Sequence, residues 1–278
     1  MLTNITKASG QVVPFEAGKV RQSILRTGAD QKTADAILAQ VEQNLKPNIS
    51  TKQIYQMVRQ QLSKEQPWAA ARYNLRQGIV RLGPSGFNFE KYVAAVLTAY
   101  GYEAETPEGY QGACIYHEVD VTAKKDGRTA FIEAKFRHNF QAQITIKDAL
   151  ATWSRYLDLV DGSGIGLCPH FDEAWIVTNA RFTDQVLQYG HCKNMVMIGW
   201  NHPRERTFAQ MVDISSLYPI TVINDLTQPE IDALSKKDLM LCSQLAESKI
   251  DQLQAETGLP AKRLESLQAL CTEVINGG

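Results

Sequence analysis

At 278 residues, with 44% hydrophobic and 21% charged side chains, the chain has room for two or three compact units and is too apolar to be disordered. No apolar run approaches the ~20 residues of a membrane helix; the start, Met1-Leu2-Thr3-Asn4-Ile5-Thr6-Lys7, lacks the apolar core of a signal peptide; and five scattered cysteines without a Cys-x-x-Cys exclude a disulfide framework, so a soluble cytoplasmic protein is expected. The net charge of −1 conceals an asymmetry: residues 1–84 hold 12 Lys+Arg against 5 Asp+Glu (+7), residues 85–215 hold 12 against 16 (−4) and residues 216–278 hold 5 against 9 (−4), which predicts an anionic partner for the first segment.

Residues 5–14, Ile-Thr-Lys-Ala-Ser-Gly-Gln-Val-Val-Pro, read as a short hairpin turning at Ser9-Gly10. Four helical stretches follow. They run from about Glu16 to Thr27, from Asp30 to Asn44, from the cap pair Ser50-Thr51, and after Pro67 through Trp68, Arg72, Tyr73, Leu75 and Ile79. Gly83-Pro84-Ser85-Gly86 breaks the pattern and marks a domain boundary. The stretch Lys7-Ala-Ser-Gly-Gln-Val-Val-Pro-Phe-Glu-Ala-Gly-Lys-Val-Arg21, with Ile49-Ser-Thr-Lys-Gln-Ile54 and Ala71-Arg72-Tyr73 through Arg76, resembles the ATP-cone over residues 3–82. That resemblance implies an adenine nucleotide, ATP or dATP, as allosteric ligand, with Lys7 and Lys19 on its phosphates and Arg72 and Arg76 as further candidates. Cationic side chains beside helix ends suit a polyphosphate. The chain has no Gly-x-x-x-x-Gly-Lys-[Ser/Thr], so nucleotide is expected as signal and not as fuel. The competing reading is a basic helical domain that packs on its neighbour or binds the DNA backbone.

From Phe87 a helix over 87–100 places Phe89, Val93, Val96, Leu97 and Tyr100 on one stripe. Two strands flank Asp126-Gly127, a hairpin signal. A helix around 146–160, strand Ala174–Thr178, helix 182–190 and strand Met195–Gly199 follow; the last three predict a β-α-β unit with parallel strands. The central segment is therefore expected to be a mixed sheet flanked by helices.

The hairpin carries the chemistry. Pairing symmetrically about Asp126-Gly127 sets Asp120 opposite Glu133 and Glu118 opposite Lys135, while Val119, Val121 and Ala123 meet Ala134, Ile132 and Ala130 on the other, apolar face. Two carboxylates ~5 Å apart repel, and a divalent cation between them turns the repulsion into binding. Oxygen ligands suit Mg²⁺, which takes one or two carboxylates and keeps several waters. Lys135, two residues after Glu133, shares its face and is placed to hold a water or offset phosphate charge. The bland alternative is a solvated strand face with a Glu118–Lys135 ion pair.

Asp120 with Glu133-Ala134-Lys135 resembles the PD-(D/E)xK nucleases, in particular their Mrr-like restriction endonuclease branch, over residues 87–200. Phe87-Asn-Phe-Glu90 is similar to the family's helical glutamate, and Ile176-Val-Thr-Asn-Ala-Arg-Phe-Thr183 to a strand-to-helix junction of Mrr-like domains; Val119 stands where the family often has proline. The resemblance implies a Mg²⁺-dependent DNA endonuclease with Asp120 and Glu133 on the metal, Glu90 assisting and Lys135 orienting water.

After Leu217 the chain is helical again, and Glu256–Leu264 hints at a degenerate helix-hairpin-helix without its Gly-x-Gly turn. Gly162-Ser-Gly-Ile-Gly166 follows a helix and reads as a connector, Cys168, His170, His191 and Cys192 fit no zinc spacing, and His117 falls on the apolar face. The expected architecture is multidomain α+β and α/β: an ATP-cone of hairpin plus helices (1–84), a restriction-endonuclease-like mixed sheet with helices (85–215) and a small helical segment (216–278). The expected partners are nucleic acid, DNA above RNA, and an adenine nucleotide, without membrane contact; a homo-oligomer is compatible. A second reading makes the protein a catalytically silent nucleotide sensor that binds DNA.

Overall fold

The N-terminal hairpin forms from β1 (Asn4–Thr6) and β2 (Val12–Pro14), with Ile5 opposite Val13 and Gly10 turning at φ 83°. This computed structural model describes residues 3–7, 9–83, 89–139 and 141–277; Ala8 of the opening motif, Pro84-Ser85-Gly86 of the expected boundary and Phe87-Asn88 of the expected helix head lie outside them. Helix α1 (Ala17–Leu25) follows, then α2 (Gln31–Gln43), whose Asp30 cap accepts the Thr33 amide at 2.9 Å. A two-residue strand, β3 (Ile49–Ser50), adds to β1 in parallel; it is too short to leave a periodicity in the sequence. Ser50 and Gln53 form a capping box on α3 (Thr51–Glu65). The single helix expected after Pro67 is two, α4 (Pro67–Tyr73) and α5 (Leu75–Leu82). At the break, Asn74 turns its side chain to tertiary use: it accepts from the Tyr55 hydroxyl at 2.9 Å and donates to the Val222 carbonyl at 3.1 Å.

The central unit begins with α6 (Phe89–Ala99) and β4 (Glu103–Glu105), then a small ribbon of β5 (Tyr110–Gln111) and β6 (Tyr116–His117). The hairpin follows: β7 (Val121–Lys125) and β8 (Arg128–Lys135). After β9 (Gln143–Ile144) come α7 (Ile146–Gly164), β10 (Glu173–Thr178), β11 (Arg181–Phe182), α8 (Asp184–Lys193), β12 (Val196–Ile198) and α9 (Phe208–Ser215). The main sheet runs β12-β10-β8-β7-β4; β8, β10 and β12 are parallel, while β7 is antiparallel to β8 and β4. This is the mixed sheet with a β-α-β unit that the alternation predicts. Asp126 (φ 51°) and Gly127 (φ 76°) form a two-residue turn with both residues left-handed, and the ladder runs from Lys125–Arg128 to Val121–Ile132 in the expected register.

The bland alternative, a solvated hairpin face, fails: on the face opposite Val121 and Ile132, Phe131 is fully buried beside Ile176, Leu159 and Phe171. The cause is position: β8 is the central strand, and α7 packs over this face as α6 packs over the other. Gly162 likewise lies inside α7 and not in a connector. An added Cβ there would stand 2.8 Å from the Gly112 backbone, so glycine lets the loop before β6 cross the helix.

The C-terminal stretch holds a 3-10 turn (Ile220–Val222), α10 (Gln228–Ser235), α11 (Cys242–Glu247), α12 (Ile250–Thr257) and α13 (Ala261–Asn276). Gly258 (φ 71°) ends α12, but the basic Arg263 beyond it is engaged internally by Glu230 and Asp225. The two terminal stretches, expected as separate domains, form one unit: residues 1–85 with 216–278, and residues 86–215 as the other. Arg81 donates to the Thr221, Ile223 and Leu226 carbonyls, and the Thr221 hydroxyl donates to the Gly78 carbonyl. A Cβ at Gly78 would lie 2.8 Å from Val222. Contacts between residues about 140 apart leave no local pattern, so the sequence reads as three pieces.

Candidate functional site

The hairpin ladder stops at Val121, one residue short of Asp120, and the Asp120 carboxylate itself accepts the Ala134 amide at 2.8 Å. Asp120 thus lies beside Glu133 without a backbone pair beneath it. Burial pushes the Asp120 carboxyl up, and the negative charges of Glu133 and then Glu90 push it further, against the Ala134 amide and Lys135; it reaches about 6. All four residues picked from the sequence, Glu90, Asp120, Glu133 and Lys135, are therefore within electrostatic reach of one point.

The reasons are local. Phe89 packs on Phe136 (5.4 Å between ring centroids), which fixes the head of α6, with Glu90, next to the end of β8. The Thr178 hydroxyl donates to the Lys135 carbonyl. Asn179 accepts the Arg137 amide at 2.8 Å and donates to the Arg137 carbonyl at 2.9 Å. The junction residues Thr178 and Asn179 thereby clamp the strand end that carries Glu133 and Lys135.

Glu133 is only 3% exposed, and a carboxylate so buried requires positive partners. Lys135 pairs with Oε1, and Arg155 of α7 donates from Nη1 to Oε2 at 2.6 Å. The expected alternative of a Glu118–Lys135 pair gives way: Lys135 turns to Glu133, and Glu118 offers its carbonyl to Arg155 Nη2 at 2.7 Å. Arg155 was not foreseen. It sits 22 residues after Glu133 on another element, where only tertiary packing brings it in. Lys135 and Arg155 remain 29% and 27% exposed, so the cluster opens to solvent.

Among the described residues no three His, Cys, Asp or Glu side chains converge to form a cage for a metal ion, at Cys168, His170, His191 and Cys192 or elsewhere. The cluster offers two carboxylates, Asp120 and Glu133, with Glu90 nearby, an all-oxygen donor set of the kind that Mg²⁺ completes with water. His117, read from the sequence on the apolar face, is buried and paired: its Nε2 lies 2.8 Å from Asp158 Oδ2. Burial raises the Asp158 carboxyl, but bonds from Cys114, His117 and the Cys114 and Ile115 amides outweigh it and hold it at about 2.

In the other unit, a pocket of about 250 Å³ is lined by Lys7, Lys19, Phe15, Ile54, Tyr55 and Tyr73 among others. Tyr55 and Tyr73 stack at 5.0 Å. Lys7 donates to Gln11 at 3.1 Å, and Lys19 pairs with Glu16 at 2.6 Å. Arg72 and Arg76 are not brought to this lining. Arg72 donates instead to the Val274, Ile275 and Thr27 carbonyls and lies over the Trp68 and Tyr218 rings. It closes the C-terminal end of α13, whose last carbonyls have no partner within the helix. These bonds hold Arg72 away from the lining that carries Lys7 and Lys19.

Residues 3–77 match the ATP cone domain, and residues 218–275 match the family described as AF1548-like, C-terminal. An uncharacterized protein of Archaeoglobus fulgidus is 31% identical over 183 residues, 66% of this chain and 99% of the relative. The crystal structure of the protein of unknown function AF1548 has 31% sequence identity and a TM-score of 0.56, covering 68% of this chain and 97% of that one. Identity of this order across the whole of the relative means that the chain belongs to the AF1548-like family, here with an ATP cone domain at residues 3–77.

Proposed function

We propose that the protein is a Mg²⁺-dependent endonuclease acting on DNA, with an adenine nucleotide in the ATP cone setting its activity. The observation that carries this reading is the gathering of Asp120, Glu133, Lys135 and Glu90 at one end of the central sheet, with Asp120 pushed up to about 6 by burial and by its acidic neighbours. Retaining mutually repelling acids in a half-buried place has a use when a cation and a phosphate share the site.

Asp120 and Glu133 would hold the metal, which when bound supplies Lewis-acid stabilisation of phosphoryl charge. Lys135 holds the attacking water by a hydrogen bond from Nζ and offsets charge on the phosphate. Glu90 adds negative potential that attracts the cation. Thr178 and Asn179 keep the strand end in place for this geometry. In the ATP cone, Lys7 and Lys19 meet phosphates, and the apolar wall with the Tyr55–Tyr73 stack receives the base.

A specific observation favours a second reading. Both Glu133 oxygens carry a cationic side chain, which suits a silent nucleotide sensor that has no metal to bind. Single- and double-stranded DNA and RNA incubated with the full chain, with Mg²⁺ or EDTA and with ATP, dATP or neither, separate the two. The endonuclease reading expects Mg²⁺-dependent cutting at a rate that nucleotide alters. Intact nucleic acid in every arm, with nucleotide still bound, establishes the sensor.

A further inference from the structure

Arg155 makes two bonds that helix packing alone does not call for. Nη1 donates to Glu133 Oε2 at 2.6 Å and Nη2 donates to the Glu118 carbonyl at 2.7 Å. One planar guanidinium therefore ties the acid of β8 to the backbone two residues ahead of Asp120. It holds together the two arms whose carboxylates form the cluster, while Lys135 covers the other oxygen of Glu133. Arginine suits such a bridge because its charge is permanent and its fork reaches two acceptors at once.

We propose that Arg155 is a positioning residue that stands in for the divalent cation, neutralising Glu133 and holding the Glu118–Asp120 backbone against β8 until a metal ion displaces it from the carboxylate. The inference rests on the reading of Asp120 and Glu133 as a cation site. It has a direct thermodynamic consequence. A cation must compete with the guanidinium for Glu133, so the pairing lowers the apparent metal affinity, and removing the competitor raises it. A merely structural arginine would have the opposite effect or none, because its loss loosens the site.

The test is calorimetric titration of Mn²⁺, an ion that also favours oxygen ligands, into the full chain. The proteins are wild type, Arg155→Met, Arg155→Gln and Arg155→Lys, with Glu133→Gln defining binding outside the site. Loss of one charge-assisted bond in competition predicts about tenfold tighter Mn²⁺ binding in Arg155→Met and Arg155→Gln, and binding within about twofold of wild type in Arg155→Lys. Unchanged or weaker binding in both neutral variants overturns the role given to Arg155 and leaves the cation site standing. The role also falls if both neutral variants fail to fold even with Mn²⁺ present, since a bound cation should then replace the lost charge on Glu133. Absence of any Glu133-dependent Mn²⁺ binding in all the proteins overturns the cation site itself, and this inference with it.

Discussion

Asp120 and Glu133 sit side by side yet solve the problem of burial differently. Glu133 is neutralised by Lys135 and Arg155, whereas Asp120 has a backbone amide and two acidic neighbours. Its folded value of about 6 lies above the ordinary 3.8, so between those pH values the folded chain holds a proton that the unfolded chain has lost. Stability therefore falls as pH rises through that window; the penalty is complete above about pH 6 and absent below 3.8. Asp120→Asn keeps an acceptor for the Ala134 amide and removes the repelled charge. In EDTA at pH 7.5 it is expected to be more stable than wild type by on the order of 1–2 kcal/mol, allowing for partial exposure, and equal to it at pH 3.5. Denaturant melts at the two pH values check this; a less stable variant at pH 7.5 contradicts the electrostatic origin of the shift.

At the scale of elements, α4 and α13 are joined through Arg72, which satisfies two carbonyls at the end of α13 and one at Thr27. Arg72→Met leaves these acceptors without the guanidinium and is expected to destabilise the chain by about 2–3 kcal/mol while the pocket beside Lys7 and Lys19 keeps its nucleotide affinity within about twofold. Urea unfolding and nucleotide titration measure the two; a large loss of affinity with unchanged stability would return Arg72 to the phosphate. This residue shows where sequence reading stops. The hairpin was legible because Asp126-Gly127 fixes a register and alternation fixes the faces, which together set Asp120 beside Glu133. The cap at Ser50 and the parallel β10–β12 pair were legible for the same reason, since each rests on local chemistry. Arg72, Arg155 and the break at Asn74 were not. Their partners, Val274, Glu133 and Val222, lie 22 to 202 residues away, and a guanidinium carries no mark of whether it will meet a phosphate or a carbonyl.

On the scale of the molecule, the chain leaves the unit that holds the ATP cone near residue 85 and returns to it near residue 216, so the central unit is attached to it by both of its ends. The tail also shares the fabric of the cone: Asn74, which follows Tyr73 of the pocket, bonds both Tyr55 and Val222. The proposed function stands on the chemistry at the end of β8, and Lys135 is its sharpest probe because it is partly exposed and its removal leaves Arg155 on Glu133. The decisive measurement is the rate of Mg²⁺-dependent DNA cleavage by wild type and by Lys135→Ala at equal, verified folding. Loss of the group that holds water predicts a fall of about 100-fold or more; cleavage by Lys135→Ala at the wild-type rate would contradict the assignment.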